Sequence, residues 1–358
     1  MTFFENNLLD LISNYDQIFE QFNIVGLSVK LRSTDKSIWE NTLISCEYAP
    51  VAYTNMNIDF LFEHQKGNDI EIHDISTIIY WDNKPVAIWP LFLSFKEENM
   101  SLNFLDNCVI PPLFISSCQL NSKKQIIKSC LNFLNNITKL AKQSEWKSMD
   151  SFTNNLGLSI WHEVSMSYGA KSFLEHELFI DLNLPLIEIK SKIRKSFKSL
   201  ITAGQKLWKV EVMEGENIKI WEDFKDLHIK VAGRKTRSDK TWEIHYKDIC
   251  QNNSFLIYLL DNNNEMVGGG LFQFTKDEAL YAVAAYNRNL FDKPLGHVIQ
   301  FRAIEELKKR TASWYKLGGR PFLNGQTTPT EKEIKIAEFK HGFASHLFSR
   351  IVLIHSLI

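Results

Sequence analysis

The sequence predicts an α/β (α+β) protein made of two tandem copies of one unit, each with a mixed sheet flanked by helices. Its 358 residues exceed the usual span of one domain, about 100–200 residues. Hydrophobic residues make up 44% of the chain and charged residues 23%, so a core of ordinary size can form. The same order of hairpin, strand and helix occurs twice, offset by roughly 170–180 residues, which indicates an internal duplication.

The charge balance and the cysteines exclude several functional classes. Lys and Arg number 41 against 42 Asp and Glu, which gives a formal net charge of −1. Bulk positive charge therefore does not drive nucleic-acid binding, although a local basic patch stays open. The five cysteines are scattered and form no C-x-x-C pair, so neither a disulfide framework nor a metal site is expected.

The apolar segments predict a cytoplasmic protein without a membrane span. The hydrophobic runs are too short or too interrupted to cross a bilayer. Residues 1–30 carry acidic side chains and lack the basic start of a signal peptide.

Each predicted copy contains a hairpin. In the first half, apolar strands at 78–81 and 86–92 flank an Asp-Asn-Lys-Pro turn. In the second half, strands at 255–260 and 266–272 flank a turn of Asp and three Asn.

A strand and a long helix follow each hairpin. In the first half we expect a strand near 102–105 and a helix at 123–143. In the second half we expect a strand at 279–286 and a helix at 295–309. Each helix leads to a tryptophan that starts an extended segment, Trp146 or Trp314.

A basic helix joins the two halves. A strand at 179–182 precedes Leu184-Pro185-Leu186, which opens a helix that runs to about residue 202 and is capped by Gly204. From Lys190 to Val210 there are seven basic residues and no acidic one: Lys190, Lys192, Arg194, Lys195, Lys198, Lys206 and Lys209.

We place the domain boundary at this strand. The N-terminal domain is then 1–178 and the C-terminal domain 179–358. The first domain is expected to begin with a helix whose apolar residues recur at helical spacing: Leu8, Leu9, Leu11, Ile12 and Ile18.

Several familiar site motifs are absent, including the Walker loop, G-x-G-x-x-G, G-x-S-x-G and H-E-x-x-H. The run Gly268-Gly269-Gly270 has the composition of a phosphate loop. It lies inside a predicted strand rather than between a strand and a helix, so close packing of the strand is the favoured interpretation.

The basic helix supplies candidate phosphate ligands. Lys195 and Lys198 either contact a diphosphate or an RNA backbone, or they belong to a solvated helix face. The residues alone leave both interpretations open.

A loop after the next helix adds further donors. The guanidinium groups of Arg234 and Arg237 suit a phosphate or a carboxylate. Two aromatic side chains flank the loop: His228 is a ligand or a core histidine, and Trp242 stacks on a ligand or packs in the core.

Polar residues also recur near the end of the chain. In residues 281–286 large and small side chains alternate, so either a ligand approaches the backbone between two tyrosines or the segment is an ordinary buried strand. Lys316-Leu317-Gly318-Gly319-Arg320 ends a strand on two glycines. Phe339-Lys340-His341-Gly342-Phe343 follows a short helix, where a cation–π contact with a neighbouring ring would hold Lys340 in place.

Taken together, these segments resemble the Fem-type transferases, the FemAB-like branch of the GNAT acyltransferase superfamily. The resemblance covers most of the chain, is strongest over 178–345 and is weak before residue 75. The matching segments are the basic helix after FIDLNLP at 179–185, Leu227-His228, Gly233-Arg234-x-Thr236-Arg237, Leu317-Gly318-Gly319 and Phe339-Lys340-x-Gly342-Phe343.

The resemblance implies two GNAT-like domains in one chain and the transfer of an acyl or aminoacyl group to an amine. Characterised members move an amino acid from aminoacyl-tRNA onto a peptidoglycan precursor that carries a nucleotide or lipid diphosphate. It therefore implies a role in bacterial cell-envelope or surface-glycan biosynthesis, with a nucleotide-linked or lipid-linked glycan precursor as partner. The co-substrate would be aminoacyl-tRNA or acyl-CoA, without a tightly bound cofactor.

Two departures from the family leave other functions open. The GNAT pyrophosphate loop is missing, since 287–296 holds only Gly296, and no heptad segment marks the coiled-coil arm of some members. The alternatives are an N-acyltransferase that uses acyl-CoA or acyl-carrier protein on an amino sugar, and a non-catalytic GNAT-like binding module.

The resemblance also assigns roles to residues. Lys340 matches the lysine of the family's FK motif and is the candidate that stabilises charge near the reacting carbonyl, with Tyr286 or His297 as a proton relay. Four basic residues are expected to converge on a diphosphate: Lys195, Lys198, Arg234 and Arg237. We expect a ligand cleft in the C-terminal domain. It should be lined by Tyr286, by the start of the helix from Leu295 to Gln300, and by Arg320.

Overall fold

The computed structural model describes Phe22 and residues 24–66, 70–96, 99–105, 108–150, 158–323 and 328–357. The helix expected within residues 8–18 lies outside these residues. The chain divides into two compact units. The first holds residues up to Tyr48, Tyr53–Phe173 and Ile351–Ile358, and the second holds Ala49–Ala52 and Leu174–Arg350.

The first unit is an α/β structure with two antiparallel sheets, ordered β1-β3-β4-β7 and β2-β5-β6. Its elements follow in chain order: β1 (Leu27–Leu31), α1 (Lys36–Ile44), α2 (Asn55–Gln65), β2 (Glu71–Asp74), β3 (Thr77–Trp81), β4 (Lys84–Trp89), β5 (Phe92–Lys96), β6 (Asn99–Asn103), β7 (Leu113–Phe114), α3 (Leu120–Leu140), β8 (Glu145–Met149) and α4 (Ile160–Ser167).

The first hairpin has a tighter turn than the sequence predicts. Only Asp82 and Asn83 connect β3 to β4, and their φ angles are positive, 48° and 62°. Such two-residue turns match the twist of the flanking strands, and Asp and Asn tolerate the left-handed conformation. Pro85 therefore lies within β4, opposite Tyr80, and not in the turn.

The long helix predicted after the first hairpin is confirmed as α3, which begins at Leu120 and ends at Leu140, three residues earlier at both ends. Its buried face includes Ile127 and Phe133. The Phe133 ring packs edge-on against Trp89 of β4, with ring centroids 5.9 Å apart. Large aromatic side chains thus join this helix to the sheet of the first unit.

The second unit has the strand order β10-β11-β12-β13-β14-β9-β15. Its elements follow in chain order: β9 (Lys171–Asp181), α5 (Leu186–Lys192), α6 (Lys195–Leu207), β10 (Lys209–Met213), α7 (Ile218–Ala232), α8 (Asp239–Cys250), β11 (Ser254–Leu260), β12 (Met266–Phe274), β13 (Glu278–Tyr286), α9 (Leu295–Lys309), β14 (Trp314–Gly319), α10 (Glu331–His341) and β15 (His346–Ser356).

Two layers of helices cover opposite faces of this sheet. Helices α5, α6 and α9 belong to one core, and α7 and α8 belong to the other. Alternate residues of β12 face alternate layers: a Cβ on Gly269 would lie 2.7 Å from the Phe224 ring, and one on Gly270 would lie 3.0 Å from Ile299. The triple glycine therefore packs a strand between two helical layers, which confirms the interpretation favoured from the sequence.

The element order of the first unit recurs in the second. In each unit a strand and two helices precede a hairpin, and a fourth strand, a long helix, a further strand and a helix follow it. The sheet orders β1-β3-β4-β7 and β10-β11-β12-β13 correspond, as do α3 and α9, β8 and β14, and α4 and α10. The predicted duplication of α/β units is confirmed, and β2, β5 and β6 are an addition to the first unit.

The division into units differs from the predicted boundary at both ends of the second half. The division falls at Phe173 and Leu174, inside β9, because this strand continues without a break past residue 178. The segment Ile351–Ile358 belongs to the first unit, because the end of β15 pairs with β8. No described helix has the length and hydropathy that a membrane crossing requires.

The helix predicted between the halves is two helices. The backbone is extended at Ile193 and Arg194, which separates α5 from α6. Gly204 is not the cap but lies inside α6, where a Cβ would collide with Val298 of α9. The glycine is needed there because α6 and α9 approach each other closely.

Candidate functional site

The central strands of the second unit separate at one end. β13 and β14 pair in parallel only over Glu278–Leu280 and Trp314–Lys316. Beyond this point β13 stays paired with β12 as far as Tyr286, whereas β14 stays paired with β9. We call the resulting gap, with the first turn of α9 and the last turn of α10 beside it, the second-unit cleft.

Lys340 reaches the cleft from the last turn of α10, whose start is fixed by a capping box between Thr330 and Glu333. Its ammonium group lies beside Gly318 of β14, where a Cβ would be 3.1 Å from Nζ. Burial lowers the Lys340 pKa. Within the described part of the chain it has neither an acidic partner nor the aromatic partner expected from the sequence. A half-buried ammonium of this kind is available to an anionic ligand or to developing negative charge.

Hydroxyl groups run from the cleft into the core. The hydroxyl oxygens of Tyr286 and Tyr281 are 2.5 Å apart. Behind them Gln300 of α9, only 1% exposed, interacts with Tyr281 and accepts a hydrogen bond of 2.6 Å from the Tyr315 hydroxyl. Burial raises the pKa of Tyr286 to about 12, so it is protonated at neutral pH. Tyr286 can relay a proton, whereas Gln300 lies behind the tyrosines and orients them.

His297 lies in an aromatic cluster at the first turn of α9. The rings of Phe197, Phe339 and Phe343 surround it at centroid distances of 4.6, 5.1 and 6.3 Å. Burial lowers the His297 pKa, so the imidazole is neutral at pH 7. A Cβ on Gly342 would collide with Phe197, so the FK-x-GF segment uses its glycine and phenylalanines to fix α10 against α6.

Two arginines and a histidine gather near the end of α10. Arg194 donates to a backbone carbonyl of this helix at 3.1 Å, and the Arg320 guanidinium lies 4.9 Å over the Phe322 ring. The His341 pKa is lowered by burial first and then by the charges of Arg320 and Arg194, so the three side chains lie close together. None of them forms an ion pair with an acidic group among the described residues. We call these three residues the cationic cluster, which suits a phosphate.

Sequence reasoning missed two members of this cluster. Arg194 is one of seven basic residues in its segment, and only the break between α5 and α6 singles it out. That break is held by a backbone hydrogen bond of 2.8 Å from Arg194 to Gly342, a contact between distant segments. His341 stands inside the FK-x-GF segment, where its position beside Lys340 was the only available signal.

The predicted ligands on the basic helix and the following loop do not converge. Lys195 and Lys198 are exposed on α6, and Lys198 donates to the carbonyl of Ser191 at 3.1 Å. Arg234 is exposed beyond the end of α7, in the layer on the opposite face of the sheet. The expectation that the four basic residues share one groove is therefore wrong, because α6 and the loop after α7 pack on opposite faces of the sheet.

The remaining predicted ligands form a cluster of their own in that second layer. Trp242 is 2% exposed and belongs to the core, so it does not stack on a ligand. Arg237 lies 4.5 Å over the Trp242 ring, and burial lowers its pKa to about 10. His228 packs edge-on against the same ring at 5.1 Å, and its pKa is lowered by burial and by Arg237. The roles assigned to the site residues, Lys340 and Tyr286 included, stay predictions.

Comparison with solved structures identifies the fold. FemX matches with a TM-score of 0.65 and 11% identity, over 92% of this chain and 97% of that chain. L-PGS from Bacillus licheniformis matches with a TM-score of 0.56 and 13% identity, over 89% of this chain and 91% of that chain. The C-terminal domain of a putative lysylphosphatidylglycerol synthetase from Agrobacterium fabrum matches with a TM-score of 0.55 and 11% identity. The match covers 90% of this chain and 92% of that chain. The chain therefore has the FemAB-like GNAT fold that its motifs predicted. No family model and no curated protein matches the sequence.

Proposed function

We propose that the protein is an acyl or aminoacyl transferase that acts on an amine acceptor in bacterial cell-envelope or surface-glycan biosynthesis. The observation that carries the proposal is the half-buried ammonium of Lys340, which lies beside the separated end of β14 and has no acidic partner among the residues that the structure describes. Such a group stabilises the charge that develops on a carbonyl oxygen during acyl transfer. The fold shared with FemX and L-PGS supports the same class of reaction.

The chemistry requires little more than positioning and charge stabilisation. A neutral acceptor amine attacks the carbonyl carbon of an acyl ester or thioester. A C–N bond forms, the C–O or C–S bond breaks, and the proton lost by the amine passes to the leaving oxygen or sulfur. In this proposal Lys340 meets the oxyanion, and the Tyr286 hydroxyl, hydrogen-bonded to Tyr281, relays the proton.

The start of α9 favours an acyl donor that is not held by the backbone N–H groups of a helix N-terminus. The helix begins after Pro294, and a Cβ on Gly296 would lie 3.1 Å from the Phe339 ring and 3.6 Å from the Tyr286 ring. Backbone N–H groups at a helix start hold a diphosphate only when the ligand can approach them. The cationic cluster offers charge to an RNA backbone or a diphosphate instead. We therefore propose aminoacyl-tRNA as donor and a nucleotide-linked or lipid-linked glycan precursor as acceptor.

A mass-shift assay tests this function. The purified protein is incubated with charged tRNA or with acyl-CoA, and with glycan precursors that carry a free amine. We expect the precursor to gain the mass of one amino-acid residue with charged tRNA, and this gain to disappear with Lys340→Met. A gain with acyl-CoA alone would support the amino-sugar N-acyltransferase, and precursor binding without any gain would support a non-catalytic module.

A further inference from the structure

The first unit has its own opening between parallel strands. Val109 and Ser148 form a parallel bridge at β8. Beyond the bridge the two chain segments separate, because β7 pairs with β4 while the end of β8 pairs with β15. A cavity of about 250 Å³ lies at this opening and is lined by residues of β7, by the first turns of α3 and by Asp150, which directly follows β8. This first-unit cavity is the counterpart of the second-unit cleft, since β7, α3 and β8 correspond to β13, α9 and β14.

Aromatic side chains form fixed walls of the first-unit cavity. Tyr53 and Trp161 line it and are only 1% and 2% exposed. The Tyr53 hydroxyl donates to the carbonyl of Pro111 at 2.7 Å, and the Trp161 indole donates to Ser148 Oγ at 3.0 Å. Because the Tyr53 hydroxyl and the Trp161 indole N–H already have hydrogen-bond partners, these two side chains contact a ligand through their aromatic rings.

The same cavity is lined by one fixed carboxylate. Asp150 Oδ2 lies 3.0 Å from Nδ1 of His162, and Ser159 Oγ lies 2.9 Å from the same nitrogen. These contacts hold the carboxylate at the end of β8, where Asp150 and Ser159 both line the cavity. One side of the cavity therefore presents a positioned negative group.

Two further lining residues carry opposite charges that do not meet. Glu47 and Lys123 both line the first-unit cavity. Neither forms an ion pair with the other or with any described residue. The Lys123 ammonium lies 5.8 Å from the Phe114 ring, which keeps it at the cavity wall. Opposite charges that line one cavity without meeting can both be satisfied by one ligand that carries the complementary pair.

We propose that the first-unit cavity binds a small zwitterion whose ammonium group meets Asp150 and Glu47 and whose carboxylate meets Lys123. Aromatic walls beside two carboxylates suit a cation, and a single lysine suits a single carboxylate. A ligand with one charge alone leaves the lining group of the other sign without a partner, so it binds more weakly. The proposal does not depend on the transfer reaction.

Calorimetric titration of the full chain tests the proposal. The probes are the common amino acids, dipeptides made from them, and for each binder the matched amine without a carboxylate and the matched acid without an amine. We expect saturable binding of a zwitterion, about ten-fold or more above either single-charge analogue. Binding of free amino acids or of dipeptides alone identifies which of the two is the ligand.

Two neighbouring lysines provide the control. Lys123→Met should lower zwitterion affinity about ten-fold or more, because it removes the partner of the carboxylate. Lys124→Met should not, because Lys124 is paired with Glu163 at 3.2 Å and does not line the cavity. Glu47→Gln, an exposed position, should weaken binding through the ammonium group without affecting folding.

Three results would overturn the proposal. These are no saturable binding of any zwitterion, equal binding of the single-charge analogues, or equal affinity of Lys123→Met and Lys124→Met. Because none of these measurements uses the transfer reaction, they fail separately from the proposed function.

Discussion

The two openings share a backbone plan and differ in their side chains. In each unit parallel segments pair briefly and then separate beside the start of a long helix. The second-unit cleft brings together Lys340 and the cationic cluster, whereas the first-unit cavity combines two carboxylates with one lysine. Under the two proposals, the corresponding place in each unit binds a ligand, and the side chains of each copy set the charge of the ligand that fits.

The helices that follow the two openings also meet them differently. α10 presents its last turn, so Lys340 lies against β14. α4 presents its first turn, and Ser159 and Trp161 line the cavity. Corresponding helices of a repeat can therefore place unlike groups beside the same strand end.

The largest effect is expected for Lys340→Met. Turnover should fall about 100–1000-fold, because charge stabilisation at the carbonyl oxygen is lost. Thermal stability should be unchanged or higher. Burial lowers the Lys340 pKa, so the folded state is penalised below that pKa and gains stability as pH rises through it, and methionine removes the penalty. Transfer rates and thermal melts measure both effects.

Lys335→Met provides the matched control for that substitution. Lys335 lies on the same helix and is exposed, 3.8 Å from Glu331. It should change neither rate nor melting temperature. If Lys340→Met lost stability in step with activity, the lysine would be structural and the second-unit cleft would lose its assigned role.

Substituting lysine for arginine distinguishes the role of Arg320, in the cationic cluster, from that of Arg237, which stacks on Trp242. Arg320→Lys should weaken binding of a phosphate-bearing substrate about ten- to a hundred-fold, since a bidentate contact is worth about 1.5–3 kcal/mol. Arg237→Lys should leave that affinity unchanged and lower the melting temperature by a few degrees, because Arg237 stacks on the core residue Trp242. Substrate titrations and melts of both variants check this, and the reverse pattern would restore the loop as the phosphate site.

Gly204→Ala should disturb the second unit alone. A Cβ at this position collides with Val298, so α6 must move away from α9, at a cost of about 1–3 kcal/mol. We expect a lower denaturation midpoint and weaker substrate binding, with zwitterion binding in the first unit retained. Ser199→Ala, on the exposed face of the same helix, should change stability by less than about 0.5 kcal/mol. Equal stability of the two variants would show that the helices adjust freely.

The last prediction is a pH dependence in the first unit, which is small near neutral pH and grows as the pH falls. His355 stacks on Trp146 with ring centroids 3.6 Å apart, and burial lowers its pKa from 6.5 to about 3. Between these values the unfolded state binds one more proton, so stability falls as pH drops from 6.5 towards 3, by at most about 1.4 kcal/mol per pH unit. His355→Gln should flatten this slope in unfolding curves. If the free energy of unfolding depended on pH equally in the wild type and in His355→Gln, the pH dependence would not come from His355.

Features set by neighbouring residues were predictable from the sequence. The helix expected at 295–309 is α9 at its full length, and the second hairpin has the predicted strands and turn. Both depend on local periodicity and turn composition, which act within a few residues. The triple glycine was assigned correctly for the same reason, since its position inside a strand favoured close packing over a phosphate loop.

Features set by distant contacts were not predictable. The helix break at Arg194 is held by a hydrogen bond to Gly342, and Gly204 serves the approach of α9 rather than the end of α6. The basic residues look alike in sequence, yet those on α6 and those after α7 lie on opposite faces of one sheet. Charge alone carries no information about the face on which a side chain will lie.

The sequence by itself determined that this chain is a duplicated α/β protein, because periodicity and element order are local properties of the chain. The FemAB-like GNAT fold came from the resemblance to the Fem-type transferases and is shown by the solved structures. Only the tertiary structure decided which cations meet. Arg194, Arg320 and His341 come together because α6 and α10 pack around Phe197 and Gly342, and Lys340 of α10 lies beside Gly318 of β14. The first-unit cavity likewise exists only because two strands separate after a single parallel bridge, a geometry that depends on pairing with other strands and not on the residues of either strand alone.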